Sequence, residues 1–250
     1  MSDVRVHGES ALRIKIAELF TSVQGEGSLT GVPSVFIRLS GCNLRCRWCD
    51  TGFASWEPEG DLRAVDELVK EAANSGVRHA VVTGGEPMLF DAVEPLCAGL
   101  RARGMHITIE TAGTVRRSPD RLACDLMSIS PKLADSAPQI GDPRDPDGTW
   151  RTRHNQRRWQ PDVVRSLMND YPDYQIKFVV SHPAELAEIA TMVGELDVPD
   201  AHRDRIMLMP EGVQVPKPGE HQWVVDACVQ RGWRFCRRLH IDLFGHRRGT

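Results

Sequence analysis

Val35-Phe36-Ile37-Arg38-Leu39 runs directly into Ser40-Gly41-Cys42-Asn43-Leu44-Arg45-Cys46-Arg47-Trp48-Cys49-Asp50-Thr51. The first five residues are apolar except for one arginine, which predicts a strand. The stretch after it holds three thiols with three and then two residues between them, a density that points to a metal or redox loop. The same arrangement, a strand that ends in unusual residues, recurs downstream. Val77 to Thr83 ends in Thr83-Gly84-Gly85-Glu86-Pro87, His106 to Thr111 in Glu110-Thr111-Ala112-Gly113, and Asp125 to Ser130 in Ser130-Pro131-Lys132. Tyr174 to Val180 reads as a fifth strand, and Arg205 to Met209 as a sixth that leads into Pro210-Glu211-Gly212. Arg234 to Leu239 is read as a last one. Helical spacing fills the gaps: Leu62, Val65, Leu68, Val69 and Ala72 behind an Asp61 N-cap, then 91–103, 161–169, 184–196 and 220–231. Alternating strands and helices predict βαβ units and a parallel sheet. In such folds the C-terminal ends of the strands carry the active site.

One parity of these strands is polar, where a sheet covered on both faces would be apolar throughout. Arg38 and Ser40, His79 and Thr83, His106, Thr108 and Glu110, Ser128 and Ser130, and Gln175 and Lys177 share it. The opposite parity, such as Ile107, Ile109, Ile176 and Phe178, is suited to packing on helices. A barrel lumen that holds a polar ligand accounts for both; solvated edge strands are the plainer alternative for one or two of them. The chain of 250 residues, 41% apolar, suffices for one well-buried domain, expected over 1–250 with 1–12 as a loose tail. Thirty-one Lys plus Arg against thirty-four Asp plus Glu leaves −3, which excludes a strongly basic nucleic-acid footprint. No apolar run reaches the roughly 20 residues of a membrane span, and the first ten residues lack the apolar core of a signal peptide. The expectation is a soluble, cytoplasmic protein without a membrane partner. Cys97, Cys124, Cys228 and Cys236 are scattered and read as buried small hydrophobes.

By themselves the clustered cysteines fit three ligands of a four-iron cluster with one iron left open. They equally fit zinc with a fourth ligand from elsewhere, His79 for instance. Cys-x3-Cys-x2-Cys with an aromatic before the last Cys, followed by Gly-Gly-Glu after the second strand, resembles the radical S-adenosylmethionine (SAM) superfamily. That resemblance implies a partial (β/α)6 barrel of the radical SAM type with N- and C-terminal elaborations. Gln24-Gly25-Glu26-Gly27, Arg38, Asp50-Thr51 and Ser130-Pro131-Lys132 extend it, over about residues 14–245, to the 7-carboxy-7-deazaguanine synthase family. The family resemblance implies a lyase that converts 6-carboxy-5,6,7,8-tetrahydropterin to 7-carboxy-7-deazaguanine with loss of ammonia, in queuosine and deazapurine biosynthesis. It further implies a flavodoxin or ferredoxin electron donor and a homodimer.

The resemblance carries roles residue by residue. Cys42, Cys46 and Cys49 would bind a 4Fe-4S cluster, and Thr51 would hold Mg²⁺ beside the substrate. Trp48, Cys49 and Asp50 would touch the adenine side of SAM, and Gly85 and Glu86 its methionine end. Ser130, Pro131 and Lys132 match a further SAM contact; Met209, Pro210, Glu211 and Gly212 match an adenine-side segment. Val23, Gln24, Gly25, Arg38 and Thr83 match substrate contacts. Arg38 also has an argument of its own: an unpaired guanidinium in an apolar strand is expensive, and a substrate carboxylate would pair it bidentately. A structural ion pair with a nearby Glu is the alternative. Glu110 and Lys177 face the same lumen by parity, without an assigned role. Some relatives end inside the site; here His246 to Thr250 continue past that point, so His240 is expected to contribute in place of a terminal carboxylate. The segment 141–162, with Arg151, Arg153, Arg157 and Arg158, is expected to be a solvated loop insertion. A lid over an anionic substrate and a docking patch for an acidic electron donor are its sharper readings. Two rival functions remain. A glycyl-radical-enzyme activase would not need Arg38, Thr51 and the Gln24 segment around a small acid. A non-catalytic iron–sulfur or zinc redox module leaves the polar lumen unexplained.

Overall fold

Among the described residues, 12–250 of this computed structural model, nine strands form one open sheet. They are β1 (Arg13–Val23), β2 (Pro33–Leu39), β3 (Asp61–Ala64), β4 (His79–Gly84), β5 (His106–Thr111), β6 (Leu126–Ile129), β7 (Tyr174–Val180), β8 (Ile206–Pro210) and β9 (Arg234–Phe235). Their order is β3-β1-β2-β4-β5-β6-β7-β8-β9. From β2 to β9 every neighbouring pair is parallel, whereas β1 is antiparallel to both β2 and β3. The six strands expected from the sequence are therefore all present and adjacent, and a sheet whose edges do not meet fits a partial barrel.

Helices α1 (Gly52–Ser55), α2 (Val65–Ala73), α3 (Val93–Ala102), α4 (Thr149–Arg157), α5 (Pro161–Asp170), α6 (Glu185–Leu196), α7 (Gln222–Arg231) and α8 (Leu239–Phe244) complete the chain. Register settles which face is which. Arg38 pairs with Thr83, Glu110 with Ser128, Ser128 with Gln175, and Lys177 with Met207, so the polar parity forms one continuous face. The other face, with Ile37, Val82, Ile109, Ile129, Phe178 and Leu208 fully buried, shares a single core with Leu68, Leu96, Val164, Ile189 and Val224 of the helices. Burying that face is the main stabilisation of the fold.

Several expectations change. The segment before β2 holds the long β1, whose pattern is broken by a register shift between Ile16 and Glu18. Ile16 lies opposite Leu39 on the core side, yet Glu18 lies opposite Arg38 on the lumen side. One extra residue, Ala17, turns the strand over, as a β-bulge does. Asp61 is not a helix cap: it starts β3, paired with Ile16, and Ala64 caps α2 without a side-chain bond. The last strand shrinks to β9, and His240 sits in α8. Apart from Leu12, the expected tail 1–12 lies outside the described residues. No described helix is long and apolar enough to cross a membrane.

Candidate active site

The polar face opens at the C-terminal ends of β2 and β4–β8 into a cavity of about 450 Å³. All the expected substrate-contact residues line it: Val23, Gln24, Gly25, Arg38 and Thr83. So do Cys42, Cys46, Trp48, Cys49, Asp50 and Thr51 from the thiol loop, together with Gly85, Ser130, Lys132, Met209 and Glu211. Glu86, Pro131, Pro210 and Gly212 are not among the lining residues. Glu86 is fully buried; its carboxylate accepts from the Thr111 hydroxyl at 2.9 Å, Ala112 N–H at 2.8 Å and Met88 N–H at 3.0 Å. It thus ties the end of β4 to the end of β5. Burial raises its carboxyl above the usual range, against those hydrogen bonds.

The Gly-Gly turn is a docking surface for the thiol loop. Glu86 N–H donates to the Gly41 carbonyl at 2.9 Å, and Gly41 N–H to the Ala54 carbonyl at 2.8 Å. A Cβ on Gly85 would meet those two carbonyl oxygens at 2.2 and 2.6 Å, so only glycine permits the approach. Burial pushes the Cys42 thiol up to about 12 and raises Cys46 as well, so binding a metal must displace their protons. Cys49 Sγ lies 3.2 Å from Ser55 Oγ and 3.7 Å from Thr51 Oγ1. Among the described residues, no three His, Cys, Asp or Glu side chains converge on one ion. His79, the alternative zinc ligand, begins β4 at the opposite end from the thiols, its ring 4.6 Å from that of His106.

Charge in the cavity is ordered by pairs. Arg38 Nε donates to Glu18 Oε2 at 2.8 Å, which is the structural ion pair with a nearby Glu that the sequence offered as the alternative to an unpaired guanidinium. Glu18 Oε1 in turn accepts from Arg248 Nε at 3.0 Å, and the Arg248 guanidinium lies 3.7 Å from the Phe53 ring centre. Residues 246–250 line the cavity, although the sequence places them past the point at which some relatives end inside the site. The Thr83 hydroxyl donates to Glu110 at 2.7 Å, and Lys132 Nζ to the Ser130 carbonyl at 2.6 Å and hydroxyl at 2.9 Å. Lys177 pairs with Glu26, which also accepts from Arg238 at 3.2 Å; Arg238 pairs with Asp50 beside Cys49. Burial would raise the Glu26 carboxyl, but Lys177 and Arg238 hold it well below the carboxylate range. Burial would lower Lys177, but Glu26 and Glu110 hold it above its ordinary value. A Cβ on Gly25 would meet His240 Nδ1 at 2.0 Å, so the Gln24-Gly25 turn packs directly on α8.

The segment 141–162 lines no part of the cavity. Nor is it only a solvated loop: it contains α4, whose His154 is fully buried. Glu18, Phe20, Phe36, Glu26 and Arg238 are cavity residues that the sequence reading did not single out. Glu26 stands inside the Gln-Gly-Glu-Gly stretch, and Glu18 faces Arg38 only because of the bulge; nothing local marks Arg238.

The radical SAM superfamily profile matches residues 36–211. A 7-carboxy-7-deazaguanine synthase of Rhodopirellula baltica is 43% identical over 99% of this chain and 92% of its own length. The chain belongs to the 7-carboxy-7-deazaguanine synthase family of radical SAM enzymes. A 7-carboxy-7-deazaguanine synthase of Halobacterium salinarum is 40% identical, over 95% of this chain and 93% of its own. The crystal structure of QueE from Escherichia coli aligns with a TM-score of 0.64 at 25% identity, covering 91% of this chain and 95% of that one. Membership in the radical SAM superfamily implies a 4Fe-4S cluster and SAM. The three thiols beside a polar cavity, with the Gly-Gly turn seated on their loop, fit both groups.

Proposed function

We propose that this cavity converts 6-carboxy-5,6,7,8-tetrahydropterin to 7-carboxy-7-deazaguanine and ammonia. The observation that carries the reading is that Arg38, although paired through Nε with Glu18, lines the same cavity as the three thiols. Its pairing with Glu18 uses Nε, and the planar fork suits a substrate carboxylate. Cys42, Cys46 and Cys49 would hold the cluster, while Trp48, Gly85, Ser130, Lys132, Met209 and Glu211 would bind SAM. When bound, the cluster and SAM supply the radical chemistry that ordinary side chains lack. The chain's own residues orient the substrate and exclude water. Glu110 fixes the Thr83 hydroxyl toward the substrate, and Glu86 braces the wall behind SAM. Lys177, kept cationic by Glu26 and Glu110, offers a donor to an electron-rich ring atom.

Three finer assignments belong to the same reading. Thr51, with a hydroxyl beside Cys49, would help hold Mg²⁺, a hard cation that keeps several waters. A flavodoxin or ferredoxin would deliver the electron, and the chain would act as a homodimer. A protein substrate, as for an activase, is disfavoured by the closing of residues 246–250 on the cavity.

The test is an anaerobic assay with reconstituted protein, SAM, reductant and the pterin, scoring deoxyadenosine and deazapurine together. Arg38→Ala removes a charge-assisted contact of roughly 2–5 kcal/mol, about one and a half to three and a half decades in affinity. It should still cleave SAM slowly while deazapurine formation collapses, and Arg38→Lys should restore only part. An unchanged apparent KM for the pterin in Arg38→Ala would overturn the carboxylate assignment.

A further inference from the structure

Behind the thiol loop, on the side away from the cavity, α4 builds a mould for it. The Asp145 carboxylate accepts the N–H groups of Trp150 at 2.9 Å and Arg151 at 2.7 Å, which starts the helix. One turn later His154 is fully buried. Its Nδ1 accepts the backbone N–H of Arg45 at 3.1 Å. Its Nε2 lies 2.8 Å from the Ser136 hydroxyl, which gives its own hydrogen to the Leu133 carbonyl at 2.6 Å. The hydroxyl therefore accepts, Nε2 carries the proton, and Nδ1 is the lone-pair side that faces Arg45. The Ser136 carbonyl accepts the N–H of Arg47 at 2.9 Å. The backbone amides on both sides of Cys46 are thus anchored to one histidine–serine pair. The Arg45 guanidinium completes the mould, donating to the Cys42 carbonyl at 2.8 Å and the Leu44 carbonyl at 2.7 Å while lying 3.9 Å from the Trp150 ring centre.

We propose that His154 is a positioning residue that pre-forms the Cys42–Cys49 loop and aims Cys46 before any cluster is bound. The proposal rests on the reading of these three cysteines as cluster ligands. Arg45 is buried, so without the imidazole its N–H has no acceptor, and a buried orphan donor drives local rearrangement. Groups that hold a metal ligand from outside typically change metal affinity about 10–100-fold when removed.

Two substitutions separate the acceptor from mere bulk. His154→Asn places an amide oxygen near the Nδ1 position and keeps the acceptor for Arg45; His154→Phe keeps a ring and removes it. In cluster-free protein, alkylation of Cys46 by iodoacetamide, resolved by peptide mass, should be slow in the parent and in His154→Asn. In His154→Phe it should be about tenfold faster or more, with the far-ultraviolet circular dichroism of the parent. After reconstitution, iron per chain should fall and the electron paramagnetic g-values of the reduced cluster should shift in His154→Phe, and both should return in His154→Asn. Should His154→Phe fail to fold, His154→Leu, which is smaller and likewise lacks an acceptor for the Arg45 N–H, should still speed Cys46 alkylation. Parent-like alkylation in His154→Phe, or in His154→Leu if that variant must serve, overturns the proposal. So does an Asn variant that behaves like Phe. Full iron in Cys46→Ala would instead sink the ligand reading and leave the loop-shaping result standing.

Discussion

Replacing Lys177 by Met keeps the length of the side chain, removes its charge and leaves Glu26 buried with one partner fewer. The two side chains are 6% and 18% exposed, so water cannot take over the lost ammonium. Removing one member of a buried pair costs about 3–5 kcal/mol. Arg238 remains 3.2 Å from Glu26, which places this case at the low end, about 3 kcal/mol. For a domain of this size 1 kcal/mol corresponds to about 2–4 °C, so Tm should drop by about 6–12 °C. Adding Glu26→Gln removes the stranded carboxylate, and Arg238 keeps Asp50 as its partner. The double variant should therefore recover about 2 kcal/mol relative to the single one. Urea unfolding of cluster-free protein at pH 7, under reductant and with all four members of the cycle, measures this coupling. A single variant within 1 kcal/mol of the parent, or a double variant no better than the single, would refute the account of the pair.

Cys46→Ala should lose its iron on anaerobic reconstitution, whereas Cys228→Ala, altered on α7 in the helix–sheet core, should keep it; iron and sulfide counting decides. Gly25→Ala forces a methyl into the His240 ring, and should cost about 1–3 kcal/mol in unfolding free energy, as overpacking does; parent-like stability would mean that α8 yields freely. Burial, helped by Lys132 and Arg158, lowers His154 from 6.5 to about 4. The unfolded chain then takes up a proton below about 6.5 that the folded chain refuses until about 4, so stability falls as pH drops through that window, by up to about 3 kcal/mol. His154→Asn should flatten the stability–pH curve there, and an unchanged slope would remove His154 as its source.

The parallel strands were legible because their apolar parity and the motifs at their ends both survive in the linear sequence. The polar lumen was legible for the same reason, since alternation maps directly onto faces. β1 was not, because Ala17 shifts the alternation midway and neither half is long enough to announce itself. α4 was hidden by its composition: Thr149 to Arg157 offers only Trp150 and His154 to an inward face, and the Asp145 carboxylate that starts it lies four residues earlier. In the site, the thiol loop and the Gly-Gly turn were readable from spacing. The Glu26–Arg238 contact joins residues 212 positions apart, and no local pattern foretells such a meeting. Arg38 stood out correctly as anomalous, but its partner Glu18 sat in the strand that the bulge concealed.

That bulge divides β1 into two stretches with separate obligations. Ile14 and Ile16 answer to the volume of the helix-side core, whereas Glu18 and Phe20 answer to whatever occupies the cavity. A strict alternation would have made these demands compete, because any slip that suited one would turn the other inside out. With the extra residue absorbing the mismatch, each half can be altered without disturbing the other. Deleting Ala17 would remove that freedom, rotating Glu18 and Phe20 away from the cavity while every residue of the chemistry downstream stayed in place.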